Sequence, residues 1–192
     1  LAGALRHREV AWFLDGSATR FQRLPAPALG LSRHVLDARL ATAFVAAGGD
    51  LRERTRVTDF APHPGRVLAL GRRRGRSPWL GLKFHVRDLP LTRDLELHLG
   101  AHAYVGLARV STDTVNVCGL FRRRALADRG PGLLLAYLRA TGLDTLAARL
   151  DAAFIDPATC CAVAALMFDR AVMPNDQIAL GDACAMIPPF TG

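Results

Sequence analysis

The residues best placed to do chemistry stand at the end of the chain. An apolar run, Ile178-Ala179-Leu180, leads directly into Gly181-Asp182. A strand of this kind delivers a carboxylate to its carboxyl end, where open α/β sheets bind ligands. Asp182 could accept hydrogen bonds there from a sugar-like diol. The residues beyond it, Pro188-Pro189-Phe190-Thr191-Gly192, read as a turn with exposed backbone N–H groups. A helix following Gly192 would add the positive end of its dipole. Together these features suit an anionic or electron-rich cofactor.

A second group lies mid-chain. His85, Glu96, His98 and His102 fall in or beside short β-like runs. Two or three of the histidines could meet as an acid–base or metal group. The plainer reading is polar residues on the outer face of a sheet, with no metal. Lys83 is the one lysine among 25 basic residues and could line a substrate cavity. Cys118, Cys160, Cys161 and Cys184 sit in apolar runs without a C-x-x-C spacing. They read as buried free thiols of a cytoplasmic protein.

These residues need elements to position them. Residues 10–24 read as a connection, because Pro25 and Pro27 interrupt any regular element. A helix starts near Arg33 with Ser32 as N-cap and a Leu31/Leu36 staple. Leu36, Leu40, Ala43, Phe44 and Ala47 share one of its faces, and Gly48-Gly49 ends it. Thr55–Phe60 alternates like a strand, and Arg66–Leu70 is a second one closing at Gly71.

The middle changes character. Trp79–Val86, Asp94–Leu99, Tyr104–Val110 and Thr114–Phe121 are strands separated by short turns, which predicts an antiparallel sheet. Alternation places His85 and Arg87, and likewise Glu96 and His98, on a polar face. Helices follow over 132–140 and 144–153, parted by Gly142, then an apolar strand over Cys160–Phe168.

Composition limits the function classes. The net charge of +8 invites a nucleic-acid reading. The arginines, however, are spread through every segment, and the runs at Arg72–Arg74 and Arg122–Arg124 lack the interleaved aromatics of a single-strand binder. A hydrophobic content of 51% is ample for a core, and no run of apolar residues has transmembrane length. The first residues are neither a signal peptide nor an initiator Met, so we expect a cut inside a longer protein.

The closing run resembles the G-D-A-x-x-x-x-P-P-x-x-G signature of FAD-dependent oxidoreductases with the p-hydroxybenzoate hydroxylase fold. That group includes aromatic monooxygenases, flavin-dependent halogenases and geranylgeranyl-reductase-like enzymes. The resemblance implies that Gly181 and Asp182 meet the FAD ribityl chain. It places Pro189, Thr191 and Gly192 beside the pyrophosphate and the isoalloxazine edge. Leu31-Ser32-Arg33-His34-Val35-Leu36-Asp37 resembles the family's L-S-R-x-x-L-D helix, whose arginine, here Arg33, approaches FAD. Val67-Leu68-Ala69-Leu70-Gly71 resembles a strand ending in Ala-Thr-Gly, with Leu70 in place of Thr. Val57 stands where the family contacts adenine. The sheet over residues 79–121 resembles the one that roofs the substrate.

Other family motifs are missing. No G-x-G-x-x-G occurs, and Tyr104–Arg109 lacks the Trp and Pro of the reductase-like motif. The Trp-x-Trp-x-Ile-Pro of tryptophan-type halogenases is absent as well. No catalytic acid or base is named. The resemblance implies an α/β (α+β) fold, a partial FAD/NAD(P)-binding Rossmann-like domain with an antiparallel β-sheet substrate domain. The expected division is 1–75 and 171–192 for cofactor and 76–170 for substrate. The expected activity is that of an FAD-dependent oxidoreductase, a flavoprotein monooxygenase or reductase-like enzyme. NAD(P)H would serve as electron donor and a small organic molecule as substrate. On its own this piece is expected to be inactive and to bind FAD weakly. The alternative is an Arg-rich, non-catalytic module for nucleic acid or anionic surfaces.

Overall fold

The computed structural model describes residues 3–72, 75–164, 166–168 and 177–186. Pro189, Thr191 and Gly192 lie outside them. The elements are β1 (Leu5–Leu14), β2 (Ser17–Gly30), α1 (Arg33–Ala46), β3 (Val67–Leu68), β4 (Trp79–Arg87), β5 (Leu95–Gly100) and β6 (Ala103–Arg109). They continue with β7 (Thr114–Arg122), α2 (Gly130–Ala140), α3 (Asp144–Asp151), β8 (Phe154–Ala164) and β9 (Ile178–Ala179).

The expected antiparallel sheet is present, and it is larger than expected. Seven strands run in the order β2-β1-β5-β6-β7-β4-β8. All neighbours are antiparallel except β1 and β5, which are parallel. Residues 10–24 are therefore no connection: they belong to a hairpin that extends the sheet. Pro25 and Pro27 are tolerated because β2 is the sheet edge, where a missing N–H leaves no ladder bond unmade. Pairing jumps there from His7↔Ala28 to Glu9↔Arg23, so both prolines sit in an irregularity. Asp94 Oδ2 accepts from the Arg8 and Glu9 N–H groups beside it, at 2.6 and 3.2 Å.

One face of the sheet carries the core. Leu82, Phe84 and Val86 of β4, Val115 and Val117 of β7, and Val105 and Leu107 of β6 are all buried. Helices α2 and α3 cover them with Leu134, Leu138, Leu146 and Leu150. The Tyr137 ring meets Phe121 at 5.2 Å. Its hydroxyl donates to the Arg124 carbonyl and accepts from the Arg124 N–H, both at 2.8 Å, so the buried polar tip is satisfied. Gly142 takes φ +79° and sends its N–H to Arg139 O while Leu143 bonds Leu138 O, the Schellman ending that separates α2 from α3.

Helix α1 begins at Arg33 as expected, but the Ser32 hydroxyl makes no capping bond. Gly48, at φ +87°, bonds Val45 O and Gly49 bonds Phe44 O, so the predicted stop is formed. The apolar face of α1 is not buried: Leu40, Phe44 and Val45 are all more than half exposed. Thr55–Phe60 is not a strand. Alternation makes a strand only where a sheet edge accepts it, and no described residue pairs with this segment. The strand expected over 160–168 lies earlier, at Phe154–Ala164, where β4 supplies its partners.

Candidate functional site

The parallel pair β3/β9 brings two sequence signatures together. Val67 faces Ile178 and Leu68 faces Ala179, and the Leu180 N–H donates to Leu68 O at 2.8 Å. Gly71 and Gly181-Asp182 therefore leave the same end of adjacent strands. Gly71 has φ +74° and Gly181 φ +59°, and a Cβ at either would meet nothing within 4 Å. Residues 181–183 form a 3-10 turn that exposes the Asp182 carboxylate. Asp182 has no ion-pair partner among the described residues. Val57 is 60% exposed in a segment without regular structure, so no strand places it at this site.

Arg33 faces a different surface. The start of α1 closes over the sheet face opposite α2 and α3, leaving a hollow of about 300 Å³. Ser32, Arg33 and His34 line one wall, and Lys83, His85 and Asn116 the other. The sheet register explains the second wall. His85 pairs with Asn116 and Lys83 with Cys118, so these side chains share the face that β4 and β7 turn away from the core. Burial pushes the His85 imidazole below 6.5 and the Lys83 charge lowers it further; Asp156 and the hydrogen bond with Asn116 oppose this. His85 therefore stays neutral at lower pH than a free histidine would.

Glu96 and His98 are not on the outer face. They are 0% and 4% exposed, on the helix side. Glu96 pairs with Leu107 and His98 with Val105, both core residues. A polar pair is tolerated there because Arg149 of α3 reaches in. Its Nη1 lies 2.6 Å from Glu96 Oε2, and His98 Nε2 lies 3.1 Å from the same oxygen. Arg149 also donates to Pro90 O, and the Thr92 N–H donates to Glu96 Oε1 at 2.5 Å. Burial opposes ionisation of Glu96. The bonds from His98, Arg149 and Thr92 outweigh it and hold the carboxyl at about 2. The Phe13 ring stacks on His98 at 4.3 Å. The histidines thus do not converge: His85 and His98 lie on opposite faces, and His102 sits in a turn at φ +57°.

The cysteines were expected to be buried, and they are not. Cys118 and Cys161 are exposed, and Cys160 and Cys184 are half-buried. Their apolar neighbours in sequence alternate to the other side of the sheet. Among the described residues no group of His, Cys, Asp and Glu has the arrangement of a metal site.

No protein-family model matches the sequence. No curated protein matches it either. The fold has clear likenesses among solved structures. FqzB superposes with a TM-score of 0.73 at 14% identity, over 93% of this chain and 54% of that one. The flavin-dependent brominase Bmp2 gives 0.71 at 14% identity, over 98% and 57%. Klebsiella pneumoniae HpxO, in complex with FAD and uric acid, gives 0.65 at 18% identity, over 96% and 58%. The chain has the fold of the corresponding part of these proteins, the p-hydroxybenzoate hydroxylase fold that its motifs resemble. It spans a little over half the length of each of the three.

Proposed function

We propose that the chain is part of an FAD-dependent oxidoreductase acting on a small organic molecule. The observation that carries this reading is the β3/β9 pair, which sets Gly71 and Gly181-Asp182 at one strand end, within a fold shared with flavin enzymes. The residues present fit the cofactor. The two glycines allow close backbone approach, and the exposed Asp182, without an ion-pair partner among the described residues, would accept hydrogen bonds from the ribityl diol. Arg33 would stand at the cofactor's side of the hollow. Pro189, Thr191 and Gly192 would complete the turn, and Val57 would reach adenine. Residues 1–75 and 171–192 would form the cofactor unit, Rossmann-like in kind, and 76–170 the substrate unit. The β1–β2 hairpin hydrogen-bonds into the sheet of the latter.

Bound FAD would supply the redox chemistry, taking reducing equivalents from NAD(P)H. The protein's own part is positioning. Arg33 and Lys83 set a positive field over the hollow, His85 offers a neutral imidazole, and the sheet excludes water from one side. A cytoplasmic setting fits the free thiols. Expressed from its complete gene, the protein is expected to purify yellow, with the flavin reduced by NADH or NADPH. A colourless protein that FAD does not reconstitute would overturn the reading.

A further inference from the structure

Three nucleophiles line up across one face of the sheet. Lys83 of β4 is the direct partner of Cys118 on β7 and of Cys161 on β8. Directly opposite residues of an antiparallel pair project to the same side, so the amine stands between two thiols. That side is turned away from α2 and α3, because Leu82 and Phe84, the neighbours of Lys83 along β4, are the ones buried in the core. Cys118 and Cys161 are both exposed. On its other side Cys118 faces Gly106, which has no side chain to shield it.

The charges in this row act on one another. Desolvation against the sheet pushes the Cys118 thiol up, the Lys83 charge pulls it down, and Cys161 adds to the rise. Lys83 also acts on His85, whose own cross-strand partners are Asn116 and Asp156.

A sulfenic acid formed on an exposed thiol is commonly resolved by a second thiol. None is in place for Cys118. Cys161 lies two strands away, roughly 9.5 Å between Cα atoms. A disulfide spans at most ~7 Å. Cys160 alternates to the other side and packs against the core, and Cys184 belongs to the turn after β9, outside this sheet. Lys83 remains. Its Cβ stands about 5 Å from that of Cys118, and its flexible four-carbon stem can bring the amine to the sulfur.

We propose that Cys118 is an oxidative modification site and that Lys83 is its resolving nucleophile, the two joining through an S–N bond. Peroxide takes two electrons from the Cys118 sulfur, leaving a sulfenic acid and one water. The neutral Lys83 amine then attacks that sulfur, the S–O bond breaks, and the hydroxyl leaves with an amine proton as a second water. A thiol reductant returns both side chains to their starting state. The link withdraws the Lys83 charge from the hollow that it shares with Arg33 and His85. Neither step requires a bound flavin.

Lys83 is the one lysine in the chain, and cleavage at arginine leaves it in peptide 77–87, Cys118 in 110–122, and Cys160 and Cys161 in 150–170. The test treats the 192-residue chain, native by circular dichroism, with hydrogen peroxide at alkaline pH, where thiolate and free amine coexist. Wild type should lose ~2 Da, yield 77–87 joined to 110–122, and regain its mass in a thiol reductant. K83R keeps the cation without the amine chemistry. It should lose the link, and its Cys118 should instead gain oxygen, ~16 or ~32 Da. In the linked wild type the His85 midpoint by NMR should rise, because the Lys83 charge lowers it. Joining of 110–122 to 150–170 would overturn the proposal, as would joining of 77–87 to 150–170, oxygen gain at Cys118 without a link, or an unmodified Cys118. An unmoved His85 midpoint in linked protein would overturn the loss of charge from the hollow. The wild-type peptide map decides by itself if K83R does not fold.

Discussion

Replacing Glu96 by Gln tests how the sheet and α3 are fastened. In the wild type, burial disfavours the Glu96 charge, and His98, Arg149 and the Thr92 N–H more than compensate, moving the carboxyl from 4.5 to about 2. At ~1.4 kcal/mol per tenfold, the difference corresponds to ~3 kcal/mol of folding free energy. The sign follows from linkage. A carboxyl whose folded value is depressed stabilises fully above its unfolded value. That stabilisation is lost as pH falls through the folded one. The Glu96 contribution should therefore be complete above pH 4.5 and disappear toward pH 2. E96Q removes the charge and leaves Arg149 and His98 facing a neutral amide. Arg149 keeps part of its side chain in solvent, so the cost at neutral pH should be about 3 kcal/mol, the low end for a broken buried pair. Urea unfolding of both proteins from pH 7 to pH 2 measures this. The gap between them should be constant above pH 4.5 and close below it, because the chain's other carboxylates cancel in the difference. A gap that stays level across that range would refute the assignment of the low Glu96 value to this cluster.

Three further outcomes follow from the geometry. The His85 imidazole should titrate below 6.5 by NMR, and K83Q should move its midpoint upward, because the Lys83 charge contributes to the depression. G30A should destabilise the protein by ~1–3 kcal/mol in thermal unfolding, since a Cβ there would overlap His7 Nε2 and lie 2.8 Å from the Arg109 carbonyl oxygen. Nucleic-acid binding, if the Arg-rich alternative held, would fall steeply with salt and disappear on neutralising Arg122–Arg124. We expect instead no salt-sensitive DNA or RNA complex by filter binding, because the arginines are spread through every segment and these runs lack interleaved aromatics.

The sequence made the four central strands legible, because Leu89-Pro90, Gly100 and the Ser111-Thr112-Asp113 turn punctuate short alternating runs. It also marked the ends of β3 and β9 through Gly71 and Gly181. It misled where local pattern and long-range pairing disagree. Pro25 and Pro27 look disruptive until β2 is known to be an edge. Thr55–Phe60 has the alternation of a strand but no partner. Glu96 and His98 look solvent-facing because nothing local announces Arg149, which lies 53 residues away in sequence. The hollow at Arg33 was half visible. Ser32 and Gly48-Gly49 mark the helix in the sequence, but joining its start to Lys83, His85 and Asn116 requires the β4/β7 register, which no single segment encodes.

The proposed oxidoreductase function depends most heavily on Asp182 as a cofactor ligand. Its direct test is a flavin-fluorescence titration of FAD into the apo form of the complete gene product, wild type against D182A, with unfolding midpoints confirming that both are folded. A lost charge-assisted hydrogen bond of ~1.5–3 kcal/mol predicts affinity weaker by about ten- to a hundredfold in D182A. Equal FAD affinity in the two proteins would contradict the central claim.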